Sequence, residues 1–322
     1  MKAQSRRQFI RSSAKVLCAT PLISGNIRPL WAASSESHNM TIDLTPGAIG
    51  VKTNRPIELN ALAAKHGFTS VAPNISALAE MSDSQRGELV AMMKRQGLRW
   101  GSAGCPTSPR AEEAEYREQL KRLPAQAKVL EQVGGTRMNT YIMPSSNSLT
   151  YLAHFKLWAR RLNEIGKILA DHNQRLGLEY IGTHTLLTRA KYPFIHTMAE
   201  TKDLIAATGR NNIGFVLDSW HWWQAGDSPE DIRTLSDQEI VAVDLNDAPQ
   251  GIKKTEQIDG QRELPMATGV IDTEGFLTAI RDVGYTGPVR AEPFNAPLRQ
   301  LDDDAACATT VAALKKAFAL LS

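Results

Sequence analysis

The chain has 322 residues, of which 42% are hydrophobic and 22% are charged, and its formal net charge at pH 7 is +3. This length suits one large α/β barrel or two ordinary domains, and the composition is typical of a soluble protein with a substantial core. The positive charge does not indicate a nucleic-acid partner, because it is concentrated at the N-terminus.

The N-terminal segment has the pattern of an export signal. Residues 5–11, SRRQFIR, resemble the twin-arginine signature, and a weakly apolar stretch and the small residues Ala32 and Ala33 follow. A basic arm that binds nucleic acid is the alternative, but the consecutive arginines and the apolar stretch together favour export. We therefore predict a signal peptide over residues 1–33, recognised by the twin-arginine export machinery, and a folded protein that is periplasmic or secreted.

Removal of this segment would change the charge of the chain. It carries six basic residues and no acidic one, so the mature chain has a negative formal charge and offers no electrostatic basis for binding nucleic acid. Because the apolar stretch is too short to span a membrane, no stable membrane anchor is expected. Cys105 and Cys307 remain, and a single bridge between them stays open.

From Thr41 onward, short apolar segments alternate with helical patterns, which predicts a single (β/α)8 TIM barrel over residues 41–322. The strand candidates are brief, apolar and closed by Gly, Pro, Asn or Asp, as is typical of buried parallel strands. In chain order they are Ala48–Val51, Thr69–Ala72, Arg99–Ser102, Thr136–Ile142, Leu176–Ile181, Ile213–Leu217, Ile240–Leu245 and Val289–Ala291.

Helical patterns lie between these strands. The clearest begins at a Ser or Asp cap and stops before Gly97. Pro124 is expected to kink or split its helix. The predicted helices are Ser82–Gln96, Glu112–Gln132, Leu152–His172, Phe194–Thr208, Thr273–Val283 and Asp302–Leu320.

Acidic residues lie at the ends of the last four predicted strands, where such barrels carry their chemistry. Each alone is as well explained by a helix cap or an ion pair. Together, four buried carboxylates at one rim would repel one another and raise their pKa values, and a divalent cation resolves this conflict. Oxygen ligands favour Mn²⁺ or Mg²⁺ over Zn²⁺. The four residues are Glu179, Asp218, Asp244 and Glu292.

The same stretches resemble the xylose isomerase-like barrel superfamily, with Glu on the fifth strand, D-x-x-H at the sixth, an N-D-A loop after the seventh and Glu at the eighth. The sugar isomerase/epimerase branch, with its tagatose 3-epimerase-like and inosose-handling enzymes, is the most similar. The resemblance implies that all four carboxylates hold the metal and that Glu179 and Glu292 move a proton on opposite sides of the substrate. It also implies that His221 and Arg262 contact substrate oxygens.

Two residues depart from the family's pattern. Asp244 stands where the family usually has histidine, which adds one negative charge to the ligand set. We expect this site to hold Mn²⁺, Mg²⁺ or Ca²⁺ less selectively and to make the ion a poorer Lewis acid. Met266 stands where the family's turn has glycine, so the turn near Arg262 is expected to take another shape.

Aromatic residues and histidines near the same rim are further candidates for substrate contact. His221 follows Asp218 by three residues, which directs it to that rim more readily than to a purely structural position. Trp222 lies between two more tryptophans that either stack on a sugar ring or fill the barrel mouth. His184, in EYIGTHT, is a weaker candidate.

The implied chemistry is proton abstraction next to a carbonyl group through an enediolate. Isomerisation, epimerisation and elimination share this first step. The sequence therefore leaves open a metal-dependent sugar or polyol isomerase/epimerase, a lyase or deglycosidase acting on a 3-keto-glycoside, and a carbohydrate-binding pseudoenzyme. Export favours a non-phosphorylated sugar or keto-sugar. Few histidines lie near the predicted strand ends, which disfavours a zinc nuclease. A homodimer is a possible assembly by analogy with similar barrels.

Overall fold

Parallel strands surrounded by helices make up the part of the chain that the structure, a computed structural model, describes, residues 39–322. The predicted signal peptide lies outside the described residues. The strands are β1 (Thr41–Leu44), β2 (Ser70–Val71), β3 (Arg99–Trp100), β4 (Ala103–Gly104), β5 (Arg137–Ile142), β6 (Ser145–Ser146), β7 (Arg175–Tyr180), β8 (Tyr192–Pro193), β9 (Ile213–Asp218), β10 (Ile240–Leu245) and β11 (Pro288–Ala291).

Helices follow most strands and cover the outside of the sheet. In chain order they are α1 (Pro46–Ile49), α2 (Pro56–His66), α3 (Ile75–Glu80), α4 (Asp83–Gln96), α5 (Glu113–Gln132), α6 (Tyr151–Ala170), α7 (His184–Leu187), α8 (Met198–Thr208), α9 (Ser219–Ala225), α10 (Pro229–Arg233), α11 (Thr273–Asp282), α12 (Ala296–Arg299) and α13 (Asp303–Phe318). No helix within residues 39–322 is long and apolar enough to cross a membrane.

The order of the strands confirms the predicted (β/α)8 barrel. Nine parallel strands are arranged as β3-β2-β1-β11-β10-β9-β7-β5-β4, while β6 and β8 form a separate antiparallel pair. Only two residues separate β3 from β4; β3 pairs with β2, and β4 pairs with β5. The two short strands are therefore halves of the third barrel strand, which links the two ends of the sheet.

The break in the third strand falls at a position with no room for a side chain. A side chain at Gly101 would collide with the carboxylate of Asp43, which is 3% exposed inside the barrel. The predicted strand Arg99–Ser102 is thus correct in place but is interrupted at Gly101.

The first predicted strand was wrong. Ala48–Val51 is not a strand, because α1 begins with Pro46 and ends at Gly50, whose φ of 83° closes the helix in the left-handed region. The first strand is β1, where the polar Thr41 and Asp43 are buried and break the apolar pattern that strand prediction relies on.

The predicted helices are confirmed with two corrections. Ser82 caps α4 through a reciprocal capping box, and Gly97 ends it with a φ of 69°. The eighth helix begins at Met198 rather than at Phe194, which is buried in the preceding loop. The fifth helix is continuous through Pro124, so the expected split does not occur.

The core lies between the sheet and the helices, and it fixes the strands that carry the candidate site. Every residue of β9 and β10 is buried, as expected for central parallel strands covered on both faces. Cys105 and Cys307 are both free thiols, which decides against a bridge between them.

Candidate active site

The four predicted carboxylates meet at the C-terminal ends of neighbouring strands. Glu179, Asp218 and Asp244 lie on β7, β9 and β10, and Glu292 directly follows β11. One oxygen from each lies within 4.8 Å of the others, so the cluster has the dimensions of a metal site. Strand register explains this convergence, because Asp244 lies opposite Asp218.

Arg262 is the centre of a buried hydrogen-bond network next to these carboxylates. Its side chain is 1% exposed, and its Nη1 donates to Asp218 Oδ2 at 2.7 Å. Its Nη2 donates to His221 Nε2 at 3.0 Å and to Asp259 Oδ1 at 2.8 Å. Burial is the largest influence on the pKa of Asp218 and raises it, but the charge of Arg262, the neighbouring His221 and the hydrogen bonds from Asn246 and the Trp220 N–H together outweigh burial, so that pKa is lowered.

His221 is a neutral imidazole in this network. Burial and the adjacent Arg262 lower its pKa to about 4, and its Nε2 accepts a hydrogen bond. The proton of the neutral ring therefore resides on Nδ1, 3.5 Å from Thr183 Oγ1. Both His221 and Arg262 line the cavity, as predicted, but their polar groups are already bonded to protein partners. Their role as substrate contacts stays a prediction.

Asp244 has a partner that the sequence analysis missed. Arg290 donates from Nε to Asp244 Oδ1 at 2.6 Å and from Nη2 to Oδ2 at 2.7 Å, a bidentate ion pair. Asp244 is fully buried, and Arg290 is 15% exposed. The pair is neutral as a unit. Arg290 therefore compensates the additional negative charge that Asp244 brings to the ligand set, a cation two residues before Glu292 that the count of carboxylates left out.

Glu179 and Glu292 are the carboxylates that hold a proton most readily. Burial, followed by the negative charges of Glu292 and Asp218, raises the pKa of Glu179 well above its usual value. Burial raises the pKa of Glu292 to about 7, although Arg290 opposes the shift. Glu179 Oε1 is also buried, and no residue of the described chain donates a hydrogen bond to it.

Two residues after β10 hold the rim in shape and were not assigned from the sequence. Asn246 donates from Nδ2 to Asp218 Oδ1 at 3.1 Å and accepts at Oδ1 from the backbone N–H of Glu292 at 2.9 Å. It thus fixes two cluster members relative to each other. Asp247 accepts from the backbone N–H groups of Ala248, Thr268, Gly269 and Ile271, so it organises the following loop and not the cluster.

Two of the four carboxylates, Glu179 and Glu292, line a cavity of about 330 Å³. Polar and apolar side chains both contribute to its wall, which is typical of a small-molecule site. The lining residues are Tyr141, Met143, Glu179, Ile181, Leu186, His221, Asp259, Arg262, Glu292 and Phe294.

Two predicted substrate contacts do not line this cavity. Trp222 is 4% exposed, packs on Phe276 with ring centroids 5.2 Å apart and donates to the carbonyl of Ser228, so it belongs to the core. His184 is exposed at the first residue of α7, and Leu186 from the same short helix lines the cavity instead.

The loop near Arg262 contains a residue in a strained backbone conformation. Met266 has a φ of 64°, in the left-handed region that glycine adopts readily and other residues rarely adopt. The expectation that this turn differs from the family's stays a prediction. The side chain of Met266 packs against the core, which is one compensation for the backbone strain.

The cluster fits a divalent cation by two observations. Four carboxylates face only two guanidinium groups, and the repulsion between the carboxylates contributes to the raised pKa values of Glu179 and Glu292, so a cation would take the place of their protons. In addition, the unpaired Glu179 Oε1 is a buried acceptor without a donor, which is costly unless a cation or a ligand supplies one.

Comparison with known proteins assigns the chain to a family. Residues 61–317 match the family described as the xylose isomerase-like TIM barrel. This match covers most of the chain, and the protein therefore belongs to that family.

Two curated relatives indicate the kind of chemistry found among similar chains. An inosose isomerase from Halalkalibacterium halodurans is 29% identical over 166 residues, which are 49% of this chain and 55% of that protein. A 3-dehydroshikimate dehydratase from Pseudomonas putida is 30% identical over 141 residues, 42% of this chain and 21% of that protein. The chain thus spans about half the length of the inosose isomerase it matches.

Solved structures support the fold over nearly the whole described chain. A xylose isomerase domain protein from Alicyclobacillus acidocaldarius has a TM-score of 0.77 at 28% identity, covering 88% of this chain and 99% of that chain. A protein crystallised with a zinc atom has a TM-score of 0.73 at 16% identity, with the same coverage. A D-psicose 3-epimerase studied with D-fructose has a TM-score of 0.66 at 17% identity, again with the same coverage. The last two show a shared fold alone.

Proposed function

We propose that the chain is a sugar or polyol isomerase or epimerase that moves a proton next to a carbonyl group of a non-phosphorylated sugar or keto-sugar. The observation that carries this proposal is the pair Glu179 and Glu292, which line one cavity and whose pKa values are both raised by burial, that of Glu292 to about 7. Such carboxyl groups can both remove and return a proton near neutral pH. The relationship to an inosose isomerase supports the same chemistry.

In this mechanism one glutamate acts as base and the other as acid. Glu179, with its unpaired Oε1, removes the proton from the carbon next to the carbonyl, and Glu292 delivers a proton to the neighbouring atom or to the other face of the same carbon. Arg262 cannot turn freely, because Asp218 and His221 hold its guanidinium group. Its fixed positive charge stabilises the negative charge that develops on the substrate.

We propose one divalent cation, Mn²⁺ or Mg²⁺, as the cofactor. Glu179, Asp218, Asp244 and Glu292 would hold it, because each offers an oxygen to the same small volume. When bound, the ion would polarise the substrate carbonyl and stabilise the enediolate. Asp244 can serve as a ligand while it accepts from Arg290, since each carboxylate oxygen has more than one lone pair.

Hydrogen exchange at the substrate carbon tests the proposal. The mature chain, loaded with Mn²⁺ or Mg²⁺, is incubated in D₂O with ketohexoses, inososes and 3-keto-glucosides, and the sugars are followed by NMR. We expect deuterium to enter next to the carbonyl of at least one compound, with formation of its isomer or epimer. Sugar binding without exchange would leave only the alternative of a carbohydrate-binding pseudoenzyme and would contradict the catalytic proposal.

A lyase or deglycosidase acting on a 3-keto-glycoside is a second candidate. The related 3-dehydroshikimate dehydratase favours it, because a dehydratase also eliminates an oxygen function. The base would take the proton, the bond from the β-carbon to the leaving oxygen would break, and the acid would protonate that oxygen. In the same NMR experiment this reaction releases a free aglycone and an unsaturated sugar, whereas epimerisation conserves the substrate's composition.

We also propose export by the twin-arginine machinery, on the basis of Arg6 and Arg7 followed by Phe9 and Ile10. Replacing both arginines by lysine should retain the protein in the cytoplasm with its N-terminal segment uncut. Fractionation of cells that express the parent and the variant measures this. Equal recovery from the periplasm for both chains would contradict the proposal.

A further inference from the structure

A second cavity lies beside the carboxylate site at the barrel mouth. It encloses about 480 Å³ and is lined by residues that end or follow the strands from β1 to β5. Arg290 lines this second cavity and Glu292 lines the carboxylate cavity, with Arg290 Nη2 and Glu292 Oε1 only 3.4 Å apart. On β5, Asn139 lines the second cavity and Tyr141 lines the carboxylate cavity. The two cavities are therefore neighbours across one arginine.

The wall of the second cavity mixes apolar residues, among them Leu59 and Ile75, with neutral polar residues. Among the described residues that line it there is no acidic and no aromatic side chain, and their one cation, Arg290, is already bonded to Asp244. Its polar groups are hydroxyls and amides from Thr45, Asn54, Asn74, Ser76, Ser102 and Asn139.

Two of these groups have hydrogen-bonding capacity that no described residue uses. Ser102 is 7% exposed, and its buried Oγ has no hydrogen-bond partner among residues 39–322. Asn74 uses its Oδ1 to cap α3, which leaves its amide N–H groups available. Unpaired donors and acceptors inside a concave wall are costly unless a ligand completes their hydrogen bonds.

We propose that this cavity binds a second, neutral, polyhydroxylated unit that is covalently linked to the sugar in the carboxylate cavity. The substrate would then be a glycoside of two sugar units. This inference rests on the proposed function, since it assigns the reacting sugar to the carboxylate cavity. A sugar phosphate fits less well, because no unpaired cation lines the second cavity.

Two glycines allow the cavity to be filled without disturbing the fold. A Cβ added at Gly47 or at Gly104 meets no atom within 4 Å, and neither residue has a positive φ. Gly47→Leu and Gly104→Leu should therefore fold and occupy part of the second cavity. Gly87→Leu is the matched control, because Gly87 has the same open surroundings on α4, outside both cavities.

Calorimetric titration of the metal-loaded chain tests the proposal with cellobiose, maltose and sucrose against glucose, fructose and glucose 6-phosphate. We expect at least one disaccharide to bind about ten-fold more tightly than either of its monosaccharides. Both cavity variants should abolish this difference and leave the monosaccharide affinities unchanged, while Gly87→Leu behaves like the parent.

Three results would overturn the inference, and they separate it from the proposed function. Equal affinity for disaccharides and monosaccharides, or tighter binding of glucose 6-phosphate, would show that the second cavity does not bind a second sugar unit. Deuterium exchange on single sugars would still support the isomerase in that case. Unchanged disaccharide affinity in both cavity variants would show that the second sugar unit does not bind in this cavity. Binding of no sugar, together with no deuterium exchange, contradicts both proposals.

Discussion

The two halves of the barrel mouth differ in how their polar groups are satisfied. From β7 to β11, carboxylates and arginines bond to one another, and the buried Glu179 Oε1 stands out as an acceptor without a donor. From β1 to β5, apolar residues and neutral hydroxyls and amides together line a larger cavity, and the buried Ser102 Oγ has no partner among the described residues. Charges fixed by their neighbours are organised for chemistry, whereas free neutral groups are organised to bind a ligand.

The largest effect should follow from removing an acid or base in the charged half of the barrel mouth, from β7 to β11. Glu179→Gln and Glu292→Gln each keep the shape of the side chain but cannot exchange a proton, so the turnover rate should fall about a thousand-fold. Glu118→Gln is the control, since Glu118 is exposed on α5 and pairs with Lys121. The rate of deuterium incorporation next to the substrate carbonyl is measured for all three variants. Retention of more than a tenth of the parent rate in both site variants would show that these glutamates are not the proton carriers.

The Asp244–Arg290 pair gives the next largest effect. Arg290→Met leaves a buried carboxylate without its cation, which should destabilise the metal-free protein by about 4 kcal/mol. Adding Asp244→His replaces the uncompensated carboxylate by a side chain that can stay neutral, and it should recover most of this loss. Urea unfolding of the two variants measures both changes. A double variant no more stable than the single one would show that charge neutrality is not what links these positions.

The two halves also differ in how well the sequence predicted them. The strands after residue 170 were predicted almost to the residue, because their apolar runs end in the acidic residues of the cluster. The first strand was missed because Asp43, a buried polar residue, interrupts the apolar pattern that predicts a buried strand. The third strand was predicted as continuous, because nothing in the sequence shows that Asp43 occupies the space beside Gly101.

Within the candidate site, the sequence predicted the carboxylates but not their partners. Arg290 was recognisable in principle, since it lies two residues before Glu292 and alternate strand residues share a face. Trp222 could not be excluded, because the side of α9 that faces the core follows from tertiary packing. The second cavity could not be foreseen either, since residues far apart in the chain line it.

In the neutral half of the barrel mouth, from β1 to β5, the free energy of unfolding should depend on pH through Asp43. Burial raises the pKa of Asp43 to about 6, so its carboxyl group supports folding while it is protonated. That contribution is lost as the pH rises from about 4 to about 6, and it is worth about 3 kcal/mol for a shift of this size. The stability of the parent should therefore fall relative to Asp43→Asn over this range. Parallel pH profiles in urea unfolding would contradict this prediction.

The smallest effect concerns the turn at Met266. Its left-handed backbone should cost about 1 kcal/mol, which glycine avoids and alanine does not. Met266→Gly should accordingly be more stable than Met266→Ala by about that amount, although both variants lose the packing of the methionine side chain. Thermal unfolding compares the two. Equal melting temperatures would show that the turn relaxes around any residue.

Metal content tests the central claim about the charged half most directly. The mature chain is purified without chelator beside Glu292→Gln, and bound elements are measured by inductively coupled plasma mass spectrometry. The four-carboxylate site predicts about one Mn, Mg or Ca per chain in the parent and a clear loss in the variant. No stoichiometric divalent metal in the parent, even after incubation with Mn²⁺ or Mg²⁺, would contradict the metal-dependent mechanism.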